Sequence, residues 1–445
     1  MRDNMQDAKN KVCVVGIWHL GSVISACFAD VGYHVVGVDK DPEKVRNLNK
    51  GIPPLFEPGL SDLMAKNVAS KRLSYTTELG SALKDADYMC IAFDTPVNAQ
   101  DEVDLSEIFM ISEESAKHLK DGSIVIVSSQ VPIGTCQQIN AIIKQTNPSL
   151  EFDIACVPEF LRLGQAIERF LKAKAFIIGA DNNHTAEEVE KLYSALGIPL
   201  IRMSVATAEM SKHVINAFLT LPISFINEIA NLSDMIGVDA LKVADAVQLF
   251  LYEDKRIWSR PPLPGLGFSG GTLARDLNTL KKLGEKEGYR MLMTEAILDV
   301  NKQQNEIVER KLKRVFGSLD GLIVGVLGLT YKPGTSTLRR SVAIEIIQSL
   351  ASKGVKVKAC DPKAAPAEVE SHNEFEFFDN AYEVAEGCDA LILLTEWPEF
   401  RELDFKRIRS LMKRPVIIDA KNALDRRLLV ETGFTYLGIG TGTVA

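Results

Sequence analysis

The sequence predicts an α/β fold with two doubly wound, Rossmann-like domains joined by a central helical domain. Three observations lead to this class. Short β-rich runs alternate with helix-like stretches over residues 11–200, the β signal stops from about residue 203, and the alternation returns after the segment GSLDG at 317–321. Such alternation is typical of a parallel sheet covered by helices, and a chain of 445 residues is too long for one core. The predicted domains are 1–202, 203–315 and 316–445.

The strand candidates are apolar runs that lie between helix-like segments. In the first domain they are KVCVVG, HVVGVD, DYMCIAF, SIVIVSS, FDIACV and AFIIGA. Segments between them, such as 41–49 and 104–119, carry apolar residues at helical spacing. In the last domain, LIVGVLGL, KVKACD, DALILLT and PVIIDA are expected to form four strands.

The middle of the chain predicts long helices. Residues 206–237 read as one helix, in which Pro222 introduces a kink and does not end the helix. A second long helix is predicted at 287–314. Two such helices between α/β domains could form a spine, a dimer face, or both.

The composition of the chain indicates which partners and which cell compartment to expect. The formal net charge is -8, so the chain as a whole does not attract nucleic acid or anionic membranes. The seven cysteines are scattered, several of them in apolar runs, which is typical of core side chains in a reducing cytosol and suggests no metal site. No apolar signal region or membrane-spanning stretch is expected. The sequence therefore predicts a cytoplasmic protein without nucleic acid, membrane or metal partners.

The segment KVCVVGIWHLGSV follows a strand and opens a helix, as a dinucleotide-binding fingerprint does. Gly16 and Gly21 fit the first and third glycines of Gly-x-Gly-x-x-Gly, whereas Trp18 occupies the second. Asp39 ends the second strand, 18 residues beyond Gly21, where an acid would bind the ribose hydroxyls and disfavour a 2′-phosphate. The pattern predicts NAD as cofactor, in preference to NADP. Trp18 could lie alongside that cofactor or block its site.

Three other polar positions have both a functional and an ordinary interpretation. Glu159 follows a strand, where open α/β sheets place ligands, but could also be an acid at a helix start. Lys212 and Asn216 are four residues apart, so they share a helix face that is either functional or a solvated polar stripe. Both interpretations stay open at this point.

The segment GLGFSGGTLARD, residues 265–276, has four glycines within seven residues. Such a loop can wrap a phosphate with backbone N–H groups or admit a ligand close to the main chain. Thr272 could cap the helix that follows, and Asp276 could be an exposed first-turn acid. In LTYKPGTSTLRRS, the cluster of Lys332, Arg339 and Arg340 could bind a nucleotide diphosphate or form a basic surface loop.

Together these segments resemble the UDP-glucose/UDP-N-acetylmannosamine/GDP-mannose dehydrogenase family, nearly end to end. The blocks that carry the resemblance are NKGIPPLFEPGL, DTPVN, VPEFLR, AEMSKHVINAF, FINEIANL, DKRI, GVLGLTYKPGT, DALILLTEWPEF and IIDAKNAL, in the family's order. The resemblance implies an NAD domain, a central helical dimer domain and a nucleotide-sugar domain. It also implies two NAD-linked oxidations of a sugar C6 alcohol, in which a cysteine forms a thiohemiacetal and then a thioester that water hydrolyses.

The catalytic loop of that family resembles Gly-Phe-Gly-Gly-Ser-Cys-Phe-Pro-Lys-Asp, and here the loop reads GFSGGTLARD. Asp276 takes the aspartate position, Arg275 the position of a cofactor-contacting lysine, and Thr272 the position of the nucleophilic cysteine. Leu163 stands where the family has a second glutamate that assists thioester hydrolysis. Gln130 replaces a threonine that helps to hold the water.

Other positions differ less. Ser336 and Thr337 replace two aspartates, and Lys421 replaces an arginine that holds the substrate, losing bidentate reach. The resemblance implies that Lys212, Asn216 and Asp276 order a water and stabilise an alkoxide or oxyanion.

The predicted site residues fall into three sets. The catalytic set is Lys212, Asn216, Asp276, Glu159 and Thr272. The cofactor-binding set is Gly16, Trp18, Gly21, Asp39, Thr95, Gln130, Arg275 and Arg339. The substrate-binding set is Glu159, Phe160, Leu161, Lys212, Asn216, Arg256, Gly265, Gly267, Lys332 and Lys421.

A threonine hydroxyl is a poor nucleophile without an adjacent base, and Leu163 removes one candidate base. The resemblance therefore favours an NAD-dependent nucleotide-sugar dehydrogenase that performs a two-electron reaction on a UDP- or GDP-sugar. Two alternatives stay open: a four-electron oxidation to the uronate through a hydrated aldehyde, and a non-catalytic nucleotide-sugar-binding or regulatory relative. The expected assembly is a homodimer through the central helices, or a heterodimer with a paralogue.

Overall fold

The computed structural model describes residues 11–96, 103–253, 262–268 and 270–442. The chain divides into two units between Ile215 and Asn216, called unit 1 and unit 2 below. Each unit contains a twisted sheet of the Rossmann type, so the predicted α/β class is confirmed. The predicted domain boundaries at residues 202 and 315 stay a prediction.

In unit 1, the described residues form one eight-stranded sheet in the order β3-β2-β1-β4-β5-β6-β7-β8. All neighbouring strands are parallel except β6 and β7, which pair antiparallel at Cys156 and Gly179. Six strands match the predicted ones, and the short strands β3 and β8 were not predicted. The strands are β1 Lys11–Val15, β2 His34–Val38, β3 Leu73–Thr76, β4 Tyr88–Ile91, β5 Ser123–Val127, β6 Phe152–Cys156, β7 Phe176–Gly179 and β8 Leu200–Met203.

Helices cover this sheet, and the helix α1 after β1 is almost entirely buried. Its Phe28 ring packs edge-on against Phe170 and Tyr193, with centroids 5.5 and 5.3 Å away. The helices are α1 His19–Asp30, α2 Pro42–Leu48, α3 Leu60–Ala69, α4 Leu79–Leu83, α5 Ser106–Ser115, α6 Thr135–Thr146, α7 Ala166–Leu171 and α8 Asn183–Ser194. Because α1 begins directly after the first glycine loop, its burial fixes the position of that loop.

The long helix α9, Val205–Ile236, continues through Pro222 as predicted. Its first turns are held in unit 1 by buried polar side chains. The Glu209 carboxylate accepts hydrogen bonds from the backbone N–H groups of Gly134 (2.7 Å) and Cys136 (2.8 Å), at the start of α6. His213 Nε2 lies 2.8 Å from the carbonyl oxygen of Val131. These contacts place Lys212 beside the carboxyl ends of β5 and β6.

By length and composition alone α9 could cross a membrane, contrary to the expectation that no stretch would. In its most apolar window, 39% of the residues are buried inside the chain, and a core helix of a soluble protein passes the same test.

In unit 2 the prediction of one helix at 287–314 is wrong. The segment contains α12 Leu292–Asn305 and α13 Ile307–Phe316, which are separated at Glu306. Before α12, Gly288 adopts φ +71° and ends α11 Arg275–Lys286, with the Tyr289 N–H bonded to the Gly284 carbonyl. Six consecutive polar residues, NKQQNE at 301–306, interrupt the apolar spacing just before this break, a signal that the prediction of one helix did not use.

The other helical segments of this region are short: α10 Ala240–Val247 and the π-helical segments Gln248–Glu253 and Gly270–Ala274. A buried ion pair links the central helices to the end of the second sheet. Lys311 Nζ lies 2.7 Å from Asp234 Oδ2, and the Asp234 carboxylate also accepts from the N–H groups of Gly440 (3.3 Å) and Gly442 (3.2 Å).

The second sheet has the order β11-β10-β9-β12-β13-β14 within residues 270–442, and all its pairs are parallel. The four predicted strands are present, and β11 and β14 at the two edges were not predicted. The strands are β9 Ile323–Leu327, β10 Lys356–Cys360, β11 Glu376–Phe377, β12 Ala390–Leu393, β13 Val416–Asp419 and β14 Thr435–Gly438. The helices are α14 Val342–Ala351, α15 Pro366–Val369, α16 Ala381–Ala385, α17 Phe405–Leu411 and α18 Arg426–Glu431, with a 3₁₀ turn at Pro398–Arg401.

Candidate cofactor-binding and catalytic sites

The loop between β1 and α1 needs both of its glycines. Gly16 has φ +93°, and a Cβ on it would lie 2.8 Å from the Phe93 ring. A Cβ on Gly21 would collide with the carbonyl oxygen of Gly16. Trp18, half-buried, comes directly before α1, which begins at His19. The turn and the close packing that the first and third fingerprint glycines provide are therefore both in place.

Asp39 lies at the carboxyl end of β2, where it contacts Lys44 and the backbone of Asp41. Its Oδ2 is 2.9 Å from Lys44 Nζ, and its Oδ1 accepts a hydrogen bond from the Asp41 N–H. Lys44 Nζ lies 6.0 Å from the centroid of the Trp18 ring. The glycine turn and Asp39 thus fit the adenosine half of NAD.

Asp94, after β4, approaches the start of α1. Its Oδ2 accepts a long hydrogen bond, 3.4 Å, from the backbone N–H of Leu20. The N-terminus of a helix is where a dinucleotide pyrophosphate usually binds. An exposed carboxylate at this position is therefore an internal competitor for the same amide.

We expect Asp94→Asn to tighten NAD binding about 2- to 10-fold, because it removes a negative charge near the pyrophosphate. Calorimetric titration with NAD measures the change, which should shrink at high salt. Asp62→Asn, an exposed first-turn acid of α3, is the matched control and should leave the affinity unchanged. Equal or weaker binding by Asp94→Asn would show that the carboxylate does not oppose the cofactor.

The ends of β4 and β5 are joined by the predicted pair Thr95 and Gln130. The buried Thr95 hydroxyl donates to the backbone oxygen of Gln130 at 2.9 Å, so the structure brings these two positions together. The side chain of Gln130 is half-buried.

Glu159 follows β6 in a segment without helix, since α7 begins only at Ala166. The interpretation of Glu159 as a helix-start acid is therefore wrong. Lys212 Nζ donates to the Glu159 backbone oxygen and lies 4.5 Å from the centroid of the Phe160 ring. The structure thus brings together three predicted site residues of unit 1, with Leu161 half-buried beside them in sequence.

The Glu159 side chain is 7% exposed, and its Oε1 has no hydrogen-bond partner among the described residues. Burial raises the pKa of this carboxyl to about 8, and the nearby Lys212 ammonium offsets only part of that effect. At neutral pH the carboxyl is therefore mainly protonated and can act as a hydrogen-bond donor.

This pKa predicts how stability depends on pH. Between the ordinary value of 4.5 and about 8, the folded chain holds a proton on Glu159 that the unfolded chain has lost. The contribution to stability is therefore greatest below pH 4.5 and falls by about 1.4 kcal/mol per pH unit up to pH 8. We expect Glu159→Gln to melt like the wild type at pH 5 and at a higher temperature at pH 8.

Thermal unfolding of both proteins over this pH range measures the difference. Glu187→Gln, an exposed acid on α8, is the control and should follow the wild type at every pH. A constant difference between wild type and Glu159→Gln would mean that Glu159 titrates normally.

In unit 2, Asn216 Nδ2 donates to Asp276 Oδ2 at 2.6 Å. Asn216 is 8% exposed and Asp276 is fully buried in the first turn of α11. Asn216 is therefore not part of a solvated stripe, and Asp276 is not an exposed first-turn acid. Arg275, the neighbouring predicted cofactor contact, is also buried.

Thr272 lies half-buried within the π-helical segment Gly270–Ala274. The residue at the N-cap position of α11 is Ala274, so Thr272 does not occupy the N-cap. Thr272 therefore belongs to the π-helical segment that precedes Asp276.

The glycine loop is held by side chains rather than prepared for a phosphate. The N–H of Gly265 donates to Asn227 Oδ1 at 3.0 Å, and that of Phe268 donates to Asn301 Oδ1 at 2.8 Å. A Cβ on Gly267 would collide with Asn301 and lie 2.7 Å from Asn305 Oδ1. The phosphate-cradle interpretation is thus wrong for these two amides, and Gly267 is required for close approach to α12.

The amides that hold this loop were missed by sequence reasoning. Gln304 Nε2 donates to the Gly265 oxygen at 2.6 Å, and Asn422 Nδ2 donates to the Pro264 oxygen at 2.9 Å. The signal available was the polar run NKQQNE at 301–306, in which Asn301 and Gln304 are one turn apart.

The predicted contacts in the last domain are arranged as follows. Lys421 Nζ lies 3.2 Å from Glu396 Oε2. The backbone N–H of the exposed Arg339 donates to Glu368 at 3.1 Å, and Lys332 in the same loop is half-buried. Arg256 lies outside the described residues.

In the second sheet, the backbone N–H groups of the loop after β9 are already bonded to a carboxylate of the same domain. Asp361, after β10, accepts hydrogen bonds from the N–H groups of Leu329 (2.8 Å) and Thr330 (2.9 Å) and from Trp397 Nε1 (3.1 Å). In unit 1 the corresponding loop contains the fingerprint glycines. This difference favours dinucleotide binding by unit 1.

A glycine fingerprint loop between a strand and a helix, followed by an acid at the end of the second strand, is typical of dinucleotide-binding domains. Three family models match this chain: the NAD-binding domain of the UDP-glucose/GDP-mannose dehydrogenase family at residues 10–197, its central domain at 206–303 and its UDP-binding domain at 325–426. The chain belongs to the UDP-glucose/GDP-mannose dehydrogenase family.

Curated relatives agree with this assignment. The chain is 36% identical to UDP-glucose 6-dehydrogenase TuaD of Bacillus subtilis over 436 residues, covering 98% of this chain and 94% of the relative. It is also 36% identical to the UDP-glucose 6-dehydrogenase of Rhizobium meliloti over 437 residues, covering 97% and 99%.

Solved structures are similar over the same length. A UDP-glucose dehydrogenase from Pyrobaculum islandicum superposes with a TM-score of 0.89 at 30% identity, with 98% of each chain covered. A UDP-D-ManNAc dehydrogenase from Pyrococcus horikoshii superposes with a TM-score of 0.86 at 25% identity, covering 98% and 100%. The protein is an NAD-dependent oxidoreductase that acts on a nucleotide sugar.

Proposed function

We propose that this enzyme performs one two-electron step on a UDP- or GDP-sugar, oxidising the sugar alcohol, C6 by family resemblance, to the aldehyde or catalysing the reverse reaction. The observation that carries the proposal is the presence of Thr272 at the position where the family has its nucleophilic cysteine. A threonine cannot form the thiohemiacetal and thioester of the four-electron route. The two positions that serve thioester hydrolysis in the family also differ: Leu163 stands in place of a glutamate, and Gln130 stands in place of a threonine.

The chain's own cysteines support this proposal, since all seven are buried. Burial raises the pKa of Cys13 and Cys360 to about 12 and that of Cys388 to about 11. Burial also raises the pKa values of Cys27 and Cys90 well above the usual value, and a hydrogen bond with Cys156 together with burial does the same for Cys136. These thiols are therefore poor nucleophiles at neutral pH.

The residues for a single oxidation are present. NAD, when bound, accepts the hydride from the sugar carbon, and the alcohol proton must leave to a base or to solvent. We assign to Lys212 the stabilisation of the developing alkoxide by its charge, and to the Asn216–Asp276 pair the ordering of a water. Glu159, protonated at neutral pH because burial raises its pKa, donates a hydrogen bond without adding a negative charge.

The ratio of NADH to sugar tests the proposal. The full-length enzyme is incubated with NAD and a panel of UDP- and GDP-sugars, and the product is trapped with hydroxylamine. One NADH per sugar and a trapped aldehyde are expected. Two NADH and a uronate without a covalent adduct would favour oxidation through a hydrated aldehyde, and a covalent adduct would overturn the proposal.

We also propose a cytoplasmic homodimer through the central helices, with a heterodimer as the alternative. In unit 2, α9 exposes large apolar side chains, among them Phe225 (61%), Leu232 (52%) and Met235 (79%). A contiguous apolar face of this kind is typical of a protein interface. We expect Phe225→Glu to shift the protein from dimer to monomer in sedimentation analysis, whereas Glu187→Gln, an exposed acid on α8, should not. A wild type that sediments as a monomer would contradict this assembly.

A further inference from the structure

Glu57 is a buried carboxylate, 3% exposed, that joins two separate segments of unit 1. Its Oε2 lies 2.8 Å from His19 Nε2 and accepts the N–H of Gly164 at 2.8 Å. Its Oε1 accepts the N–H of Ala166, also at 2.8 Å. Three short contacts from two segments therefore converge on one side chain.

Both segments contain residues to which a function is assigned. His19 is the first residue of α1 and directly follows Trp18 in the cofactor loop. Gly164, which has φ +80°, and Ala166 end the stretch that contains Glu159, Phe160 and Leu161. Glu57 is thus the common acceptor for the loop expected to meet NAD and the stretch expected to meet the sugar.

Because Glu57 is charged, it depends on its hydrogen-bond donors in both segments. Burial raises its pKa, but the hydrogen bonds from His19, Ala166 and Gly164 lower it more, so the pKa is below its usual value and the group is ionised. A buried carboxylate that loses one donor is left under-satisfied, which is costly. Displacement of one segment therefore changes the state of Glu57, which is also the acceptor for the other segment.

We infer that Glu57 is a positioning residue that couples the cofactor loop to the segment 158–166, so that NAD binding orders the residues that hold the nucleotide sugar. The inference rests on the proposed site assignment of Glu159, Phe160 and Leu161. A purely structural role would stabilise the fold without transmitting an effect of NAD to this segment.

Hydrogen exchange of the full-length protein separates these two roles. In the wild type, NAD should slow exchange of a peptide covering residues 158–170 by about five-fold or more, within the usual range of coupling between sites. His19→Phe removes the donor on the cofactor side and leaves Gly164 and Ala166 unchanged. It should still bind NAD in a calorimetric titration but lose the slowing.

His19→Gln retains an N–H donor and should restore the effect, which a change in packing alone would not explain. Glu57→Gln should behave like His19→Phe, and His19→Phe alone suffices if Glu57→Gln does not fold. Glu168→Gln, which breaks an exposed ion pair with Lys172 on α7, is the control and should behave like the wild type.

Equal slowing by NAD in the wild type and in His19→Phe would overturn the coupling while leaving the proposed function intact. Absence of any NAD effect on residues 158–170 in a wild type that binds NAD would also overturn it. A wild type that does not bind NAD would overturn both the coupling and the proposed function.

Discussion

Lys212→Gln is expected to lower the rate of NADH formation by about 10²- to 10⁴-fold, with NAD affinity unchanged within about two-fold. The ammonium of Lys212 is held by the Glu159 backbone oxygen and lies over the Phe160 ring. A neutral amide at this position keeps hydrogen-bonding capacity but cannot compensate a developing alkoxide. Initial rates with saturating NAD and sugar, together with calorimetry, measure the two quantities.

Lys191→Gln is the matched control, because it removes an exposed lysine that pairs with Glu188 on α8. It should keep full activity. If Lys212→Gln lost less than about ten-fold in rate, the charge at position 212 would not be stabilising the transition state. If it lost NAD affinity to the same extent as rate, the residue would belong to the cofactor site.

The combined substitution Thr272→Cys, Leu163→Glu and Gln130→Thr is expected to change the product. It introduces a thiol and the two groups that serve hydrolysis in the family, so the NADH yield should rise from one toward two per sugar and a uronate should appear. Thr272→Cys alone should give a covalent sugar adduct in the mass spectrum but slow release, because the groups that activate water are missing.

Thr272→Ser is the control for this series, since it keeps a hydroxyl and should still yield one NADH per sugar. Two NADH per sugar already in the wild type would contradict the interpretation that Thr272 limits the reaction to one step. A triple variant that folds and binds NAD but still gives one NADH would show that other residues prevent the second oxidation.

Local patterns were enough for most of the fold. The apolar runs predicted six strands of unit 1 and four of the second sheet, because buried parallel strands are apolar on both faces. Gly16 and Asp39 were recognisable because a tight turn and a ribose-binding acid require particular residues at particular places along one strand–loop–helix unit. The four edge strands β3, β8, β11 and β14 were missed, since none of them has more than two consecutive apolar residues.

The site could be predicted only in part. Asn216 and Asp276 were named because of the family resemblance, but the spacing of the sequence shows neither their hydrogen bond nor their burial. The phosphate-cradle interpretation of the glycine loop was wrong for the amides of Gly265 and Phe268, because their acceptors are Asn227 and Asn301, which lie on other helices. Glu57 was not singled out at all, since its partners are 38 and 107 or more residues away in the chain.

The sequence alone determined the α/β class and the NAD-binding loop, because strand periodicity and glycine turns are local properties. It also led to the prediction that Thr272 stands at the position of the family's cysteine. Only the tertiary structure decided that Glu159 is buried with a raised pKa, that Asn216 donates to Asp276, and that Glu57 joins two segments. Burial and hydrogen bonding between distant segments depend on how the chain packs, and no local pattern specifies them.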